Sequence, residues 1–364
     1  MKLHFLILPI LACLAACGPS KPPAEHVQYF DHLPDEFQVV GGTAGPDDIG
    51  LFLAGMPVRH GTALSKLQQS MEYQTHHREM EALWPYARTR MRTMRTWSEA
   101  EVTPAIAASG TVLYPFGGPD LLHVCAMFPQ ARSYALMGLE PVGAVPPLEQ
   151  MPPGEVLGVL AAFRQAMQTQ MMAGYFITKD MHAELEHSEL RGVTPILLAT
   201  VALIGGHVES VNGTAAGGKP AVEMRFRDDT GLRHSALYLA GDLSNRGFDT
   251  GYRQFLAGLG GSVTYFKAAS YLMHDDRFSH ARDFFLTQSR AILQDDSGIP
   301  FRYFAQGWAL RFYGNYQQPI ALFAKHQQDD LRRAYAMNPR SPLEFGSGYE
   351  VNQWQGNLLL TIRR

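Results

Sequence analysis

The chain has 364 residues, enough for one large domain or two smaller ones with a real core. Its formal net charge of −3, from 31 Lys and Arg against 34 Asp and Glu, lacks the basic excess that nucleic acid asks of a partner, so none is expected. Beyond the N-terminus the longest apolar run, Pro195 to Ile204, stops at Gly205-Gly206, too short to span a bilayer, which predicts a soluble body.

The first element is an address. Met1 and Lys2 precede an apolar run from Leu3 to Leu14, the short positive region and apolar core of a signal peptide. Leu14-Ala15-Ala16-Cys17 follows and resembles the lipobox of bacterial lipoproteins, in which small residues admit the peptidase and the cysteine thiol takes a diacylglycerol. The resemblance implies a signal peptide over 1–16, lipid on Cys17, and the membrane as a partner through that lipid. Gly18 is not the Asp that marks inner-membrane lipoproteins, which implies the outer membrane, facing the periplasm. Residues 17–27, rich in Pro, Ser, Lys, Ala and Glu, suit an extended tether. With Cys13 removed and Cys17 acylated, Cys125 has no cysteine to pair with, so packing must hold the body together.

Residues 28–105 read as a helical region. Asp47 to Leu53 is a short amphipathic piece, and Gly61 to Trp84 carries Leu64, Leu67, Met71, Met80 and Leu83 at near-helical spacing, with Pro85 expected to end it. Arg88, Arg90, Arg92 and Arg95 then crowd near Trp84, Tyr86 and Trp97, either as a solvated helix face or as a contact for anionic headgroups.

From 106 to 364 the pattern is α/β. Thr111 to Phe116 is a strand-forming run, Gly117-Gly118 breaks it, and Pro119-Asp120 starts a helix running to about Phe128, on which Leu121, Cys125 and Phe128 share a face and predict a buried, inert thiol. Ser133 to Glu140 is a second strand, completing a β-α-β unit of the kind that builds parallel sheets. A helix follows from Glu155 to about Met171, and the type of the buried segment Pro195 to Ile204 stays open. Val208 to Val211, Ala221 to Phe226 and His234 to Leu239 alternate as strands, with Asp228 to Gly231 as a hairpin turn. Tyr252 to Leu259 is a helix capped by Gly260-Gly261, Ser262 to Ala269 a strand, and Ser279 to Leu293 a helix. Phe301 to Phe304, Trp308 to Tyr313 and Asn357 to Ile362 are expected to close the sheet, with a helix from about Ile320 to Ala336.

The segment Val112 to Asp120, with Phe128 to Ala131 and Gly138 to Pro141, resembles the first motif of Rossmann-like methyltransferases. The resemblance implies an α/β fold with a Rossmann-like, mixed or mostly parallel sheet flanked by helices, Gly117 and Gly118 as the loop that lets a cofactor approach the backbone, and Glu140 as the acid on its ribose. Tyr114 and Asp120 flank that loop, so Tyr114, Gly117, Gly118, Asp120 and Glu140 are the candidate ligand-binding residues. The alternative is a β-α-β unit whose glycines only turn the chain. Asp242, His274 and Asp275 follow other strands and are candidate catalytic residues, on condition that they converge on one point. Each also suits a turn or helix cap.

Gly213 to Lys219 nearly spells a phosphate loop, but Pro220 replaces its Ser/Thr and a strand follows, so it is rejected. His182, Glu186 and His187 offer metal-ligand spacing on a helix, though an exposed polar face explains them as well. No Gly-x-Ser-x-Gly, His-Glu-x-x-His or Cys-x-x-Cys signature is present, and no cofactor or metal follows from the residues alone. Three functions stay open: a lipoprotein that binds a small ligand or an envelope partner, an enzyme with a carboxylate/histidine site at the strand ends, and an envelope scaffold.

Overall fold

Alternating apolar residues along the strands serve two cores, one on each face of a single mixed sheet. Val112 and Tyr114 point into one core while Leu113 points into the other; Tyr134 and Leu136 oppose Ala135 and Met137, and Ala291 and Leu293 oppose Ile292. A strand buried on both faces keeps its period of two but loses its polar side, which is why these runs read as continuously apolar. The computed structural model describes residues 43–106, 110–174, 190–260, 262–304, 307–350 and 353–364. The signal peptide, Cys17, the tether and the segment with His182, Glu186 and His187 lie outside the described residues.

The strands are β1 (Thr111–Tyr114), β2 (Ser133–Gly138), β3 (His207–Ala216), β4 (Lys219–Arg227), β5 (Arg233–Ala240), β6 (Ser262–Phe266), β7 (Ser289–Gln294), β8 (Trp308–Gly314), β9 (Arg340–Ser341) and β10 (Asn357–Arg363). They order as β3-β4-β5-β2-β1-β6-β7-β10-β8-β9. Strands β5, β2, β1, β6 and β7 run parallel, and β10 runs antiparallel between β7 and β8. The helices are α1 (Pro46–Leu53), α2 (Ala63–Leu67), α3 (Met71–Glu101), α4 (Thr103–Ile106), α5 (Leu121–Met127), α6 (Pro153–Ala173), α7 (Thr194–Leu203), α8 (Thr250–Gly258), α9 (Ser279–Gln288) and α10 (Asp329–Met337). Residues of α1, α3, α5, α6 and α7 share one core, and those of α8, α9 and α10 the other. The described part of the region expected to be helical, 43–105, therefore shares its core with the sheet, and 41–364 form one compact unit. No described helix is long and apolar enough to cross a membrane.

Several local expectations are corrected. Pro85 does not end its helix: α3 continues to Glu101, because buried Tyr73, His76 and Met80 before the proline and Ala87, Met91, Met94 and Trp97 after it form one stripe whose packing outweighs the lost backbone bond. The break comes earlier, where the Ser70 side chain accepts from Tyr73 N and caps the new helix. Ser279 to Leu293 is not one helix. It changes at Ser289 from α9 into β7, whose residues fill the centre of the sheet. Phe301–Tyr303 is a 3₁₀ turn rather than a strand. The segment left open resolves as helix, with Pro195 to Leu203 in α7 and buried along its length and Ile204 as its C-cap. The phosphate-loop lookalike is hairpin: β3 runs to Ala216, Gly217 and Gly218 turn with φ of 59° and 76°, and Ala216 pairs with Lys219.

Candidate functional site

In a parallel sheet the chain reverses its order of travel beside the first strand, and the gap left there outside the strand ends is the natural ligand crevice. Here that gap lies at the ends of β1 and β6. The loop leaving β1 is tightly constrained. A Cβ on Gly117 would sit 2.7 Å from the Tyr114 ring; Gly118, at φ 54°, packs against the Glu140 carboxylate, 3.3 Å from where its Cβ would be. Glu140 is buried and accepts a hydrogen bond from the Tyr238 hydroxyl at 3.1 Å. The two glycines thus meet the protein's own side chains, a turn role consistent with the plainer of the two readings.

Behind the loop lies a buried polar cluster. Asp120 caps α5, with its carboxylate accepting from His123 N at 3.3 Å and facing His123 Nδ1 at 2.8 Å. The Tyr114 hydroxyl donates to its other oxygen at 2.8 Å, Gln170 of α6 adds an amide donor, and Lys267, the residue after β6, places its ammonium 2.5 Å away. Lys267 also donates to the Gly174 carbonyl. Arg90 of α3 closes the cluster by donating to the carbonyls of Gln170, Met171 and Met172 at the end of α6, where the helix dipole favours a cation.

These contacts set the charges. Burial works against an ionised Asp120, but His123 and Lys267 outweigh it and hold the carboxyl well below its ordinary value. Burial, with Lys267 and Arg90 nearby, pushes His123 down to about 4 despite Asp120, so the imidazole is neutral near pH 7. Its Nδ1–H then donates to Asp120, and Nε2 keeps a free lone pair among the described residues. Nε2 borders a cavity of about 10 Å³, room for one water, lined also by Arg90, Tyr265, Lys267 and Ser347. Three polar atoms of these lining residues, Arg90 Nε, the Tyr265 hydroxyl and the Ser347 hydroxyl, are buried without a hydrogen-bond partner among the described residues.

A second cluster adjoins the first at the ends of β6 and β7. Ala268, Ser270 and Tyr271 all adopt positive φ, 50°, 51° and 56°, a strain concentrated in one turn. It is held by Asp295, which accepts from Ala268 N at 2.8 Å, by Ser297, and by Tyr349, whose hydroxyl accepts from Ser270 N at 3.1 Å. The result carries the Tyr271 hydroxyl onto the Asp296 carboxyl, which also takes Asn357 Nδ2 at 3.1 Å. Burial and the neighbouring Asp295 raise the Asp296 carboxyl to about 7. His274 stands edge-on to Tyr271 and His326, pushed down to about 3 by burial and by nearby His326, Arg302 and Arg282. Its Nε2 is buried without a partner.

The predicted ligand-binding set, Tyr114, Gly117, Gly118, Asp120 and Glu140, is brought together around one loop. The predicted catalytic set is not joined by any shared hydrogen-bond partner among the described residues. Asp242 accepts from Ser244 N and Oγ in a turn, Asp275 caps a 3₁₀ turn and pairs with Arg277, and only His274 enters a cluster. Cys125 is a free thiol whose pKa burial raises, which suits an inert side chain. Of the four arginines, Arg90 serves the cluster and Arg95 pairs with Glu99 and Asp229. Sequence reasoning missed Arg90, His123, Lys267, Tyr271, Asp296 and Ser347. For Asp296 a signal existed: Asp295-Asp296-Ser297-Gly298 directly follows the apolar run Ala291-Ile292-Leu293, so it ends a strand as well as making a turn. No protein family, no curated protein and no solved structure matches this chain.

Proposed function

We propose that this chain is an outer-membrane lipoprotein, anchored through Cys17 and facing the periplasm, whose Rossmann-like body binds a small polar ligand in the crevice at the ends of β1 and β6. What carries the ligand reading is the cavity beside His123, whose lining residues Arg90, Tyr265 and Ser347 each hold a buried polar atom without a hydrogen-bond partner among the described residues. Native proteins rarely bury such atoms without supplying a partner. The Rossmann-like reading is supported by strand order: numbered from β1, the parallel strands lie 3-2-1-4-5, as in doubly wound sheets.

The test is a thermal-shift screen of the full chain in detergent against nucleotides, adenosylmethionine, metals and envelope metabolites. A true ligand at a hundredfold excess over Kd stabilises by about 2.7 kcal/mol. That shift should fall sharply in a Tyr265→Phe, Ser347→Ala double variant, which keeps the packing. No shift with any compound would turn the reading toward an envelope scaffold. For the anchor, Cys17→Ser should move the chain from the membrane fraction to the soluble one, since two acyl chains are what make such anchoring stable. Retention of the variant in the membrane would refute the anchor.

A second reading, an enzyme with a carboxylate/histidine site, is favoured by the strained turn that aims Tyr271 at Asp296 beside His274. Perturbed carboxyls and unpartnered imidazoles at strand ends are where proton-transfer chemistry is found. In this reading Asp296 and Tyr271 take the place of Asp242 and Asp275, which are occupied by Ser244 and Arg277.

A further inference from the structure

The missing partner in the crevice can be identified by counting what the cavity offers. Arg90 Nε–H has no acceptor, since the two terminal nitrogens of that guanidinium hold the end of α6. The hydroxyls of Tyr265 and Ser347 have none either, and both residues are more than nine-tenths buried. Lys267 spends two of its three hydrogens on Asp120 and Gly174, leaving the third. Arg90 and Lys267 can only donate, the two hydroxyls can donate or accept, and His123 Nε2 adds a lone pair. Both obligate donors, Lys267 and Arg90, are cationic, and of the two carboxyls that act on Lys267, Asp120 is held well below its ordinary value while burial raises that of Asp295. The cavity therefore calls for an acceptor that carries negative charge.

We infer that this crevice is an oxyanion subsite, in which one oxygen of a ligand's carboxylate or phosphate group sits among Arg90 Nε, Lys267 Nζ, the Tyr265 hydroxyl and the Ser347 hydroxyl. The inference rests on the ligand-binding reading above and names the chemical class of that ligand. The space fits one oxygen atom, and Gly174, Gly346 and Gly348 are part of its wall. Charge-assisted donors of this kind are stronger than neutral ones, and burial strengthens them further.

The test uses the full chain in detergent at pH 7.5, with melting temperature followed against sodium acetate, sodium phosphate and sodium chloride at constant ionic strength. Acetate or phosphate should give a saturable rise of several degrees, and whichever is effective identifies the head group. In the Tyr265→Phe, Ser347→Ala double variant, which leaves the Lys267–Asp120 pair intact, the half-saturating concentration should increase at least tenfold. The inference is overturned if neither oxyanion gives a saturable rise, if chloride alone does, or if the double variant responds like the parent chain. The two readings fail separately. A neutral compound whose shift is lost in the double variant, with both oxyanions inert, would keep the ligand site and discard the oxyanion. Silence from every compound would discard both.

Discussion

Replacing Lys267 with Met should lower the free energy of unfolding by about 3–5 kcal/mol, the cost of stranding a buried carboxylate without its cation. Asp120 is 3% exposed and has no route to water, and its remaining partners, Tyr114, Gln170 and neutral His123, offer dipoles but no charge. Adding Asp120→Asn should recover most of the loss, because the amide still meets Tyr114 and no charge remains to be compensated. Urea unfolding of the two single variants and the double variant forms a thermodynamic cycle, and the coupling should exceed 1 kcal/mol. A single-variant loss below about 1 kcal/mol, or no recovery, would mean that the pair does not hold this end of the sheet together. The sign with pH follows from the lowered Asp120 carboxyl. Its stabilisation is present above the unfolded carboxylate range near 4 and drains away as pH falls, so the deficit of the Met variant should shrink in acid.

How much of this was legible depends on how far apart the contributing residues lie. β1, α5 and β2 were readable because strand run, glycine break, proline start and second strand follow one another locally. Asp120 and Glu140 came with them, and the loop glycines, read as leaving room for a cofactor or as only turning the chain, meet Tyr114 and Glu140. β7 was hidden because no glycine or proline separates it from α9, and a strand apolar on both faces does not alternate in polarity. Pro85 misled because a local rule lost to a buried stripe extending past it on both sides. The site partners were invisible for a related reason. Arg90, Lys267 and Ser347 come from a helix, a strand end and a closing loop distant in sequence, and no spacing announces their meeting beside His123.

Closure of the crevice by the 345–348 loop links the two clusters. Gly348 leaves no room for a Cβ because Asp295 fills that place, and Asp295 in turn holds Ala268, next to Lys267. Gly348, next to Ser347, therefore packs on the same carboxylate that holds the strained turn. A change in either cluster should be felt at the other through the two contacts of the Asp295 side chain, with Gly348 and with Ala268 N, rather than through a distant relay.

Asp296→Asn should stabilise the chain at pH 8 by as much as about 4 kcal/mol, an upper figure set by a carboxyl raised from about 4 to about 7. A raised acid contributes stability below its unfolded value near 4 and loses it as pH climbs through the folded value. The parent chain should therefore weaken between pH 5 and 8 relative to the variant, in which the amide keeps the contact with Tyr271 and carries no charge. His274, His123 and His76, at about 3, 4 and 4, act in the opposite sense. Each is neutral when buried and costs stability as pH falls below 6.5, so the difference between variant and parent, rather than either profile alone, isolates Asp296. Guanidinium unfolding at pH 5, 6, 7 and 8 measures that difference, which should grow with pH and level off above 7. A difference that stays flat across the range would show that Asp296 is ionised throughout, with Tyr271 and Asn357 sufficient to hold its charge, and the proton needed by the enzyme reading would not be there.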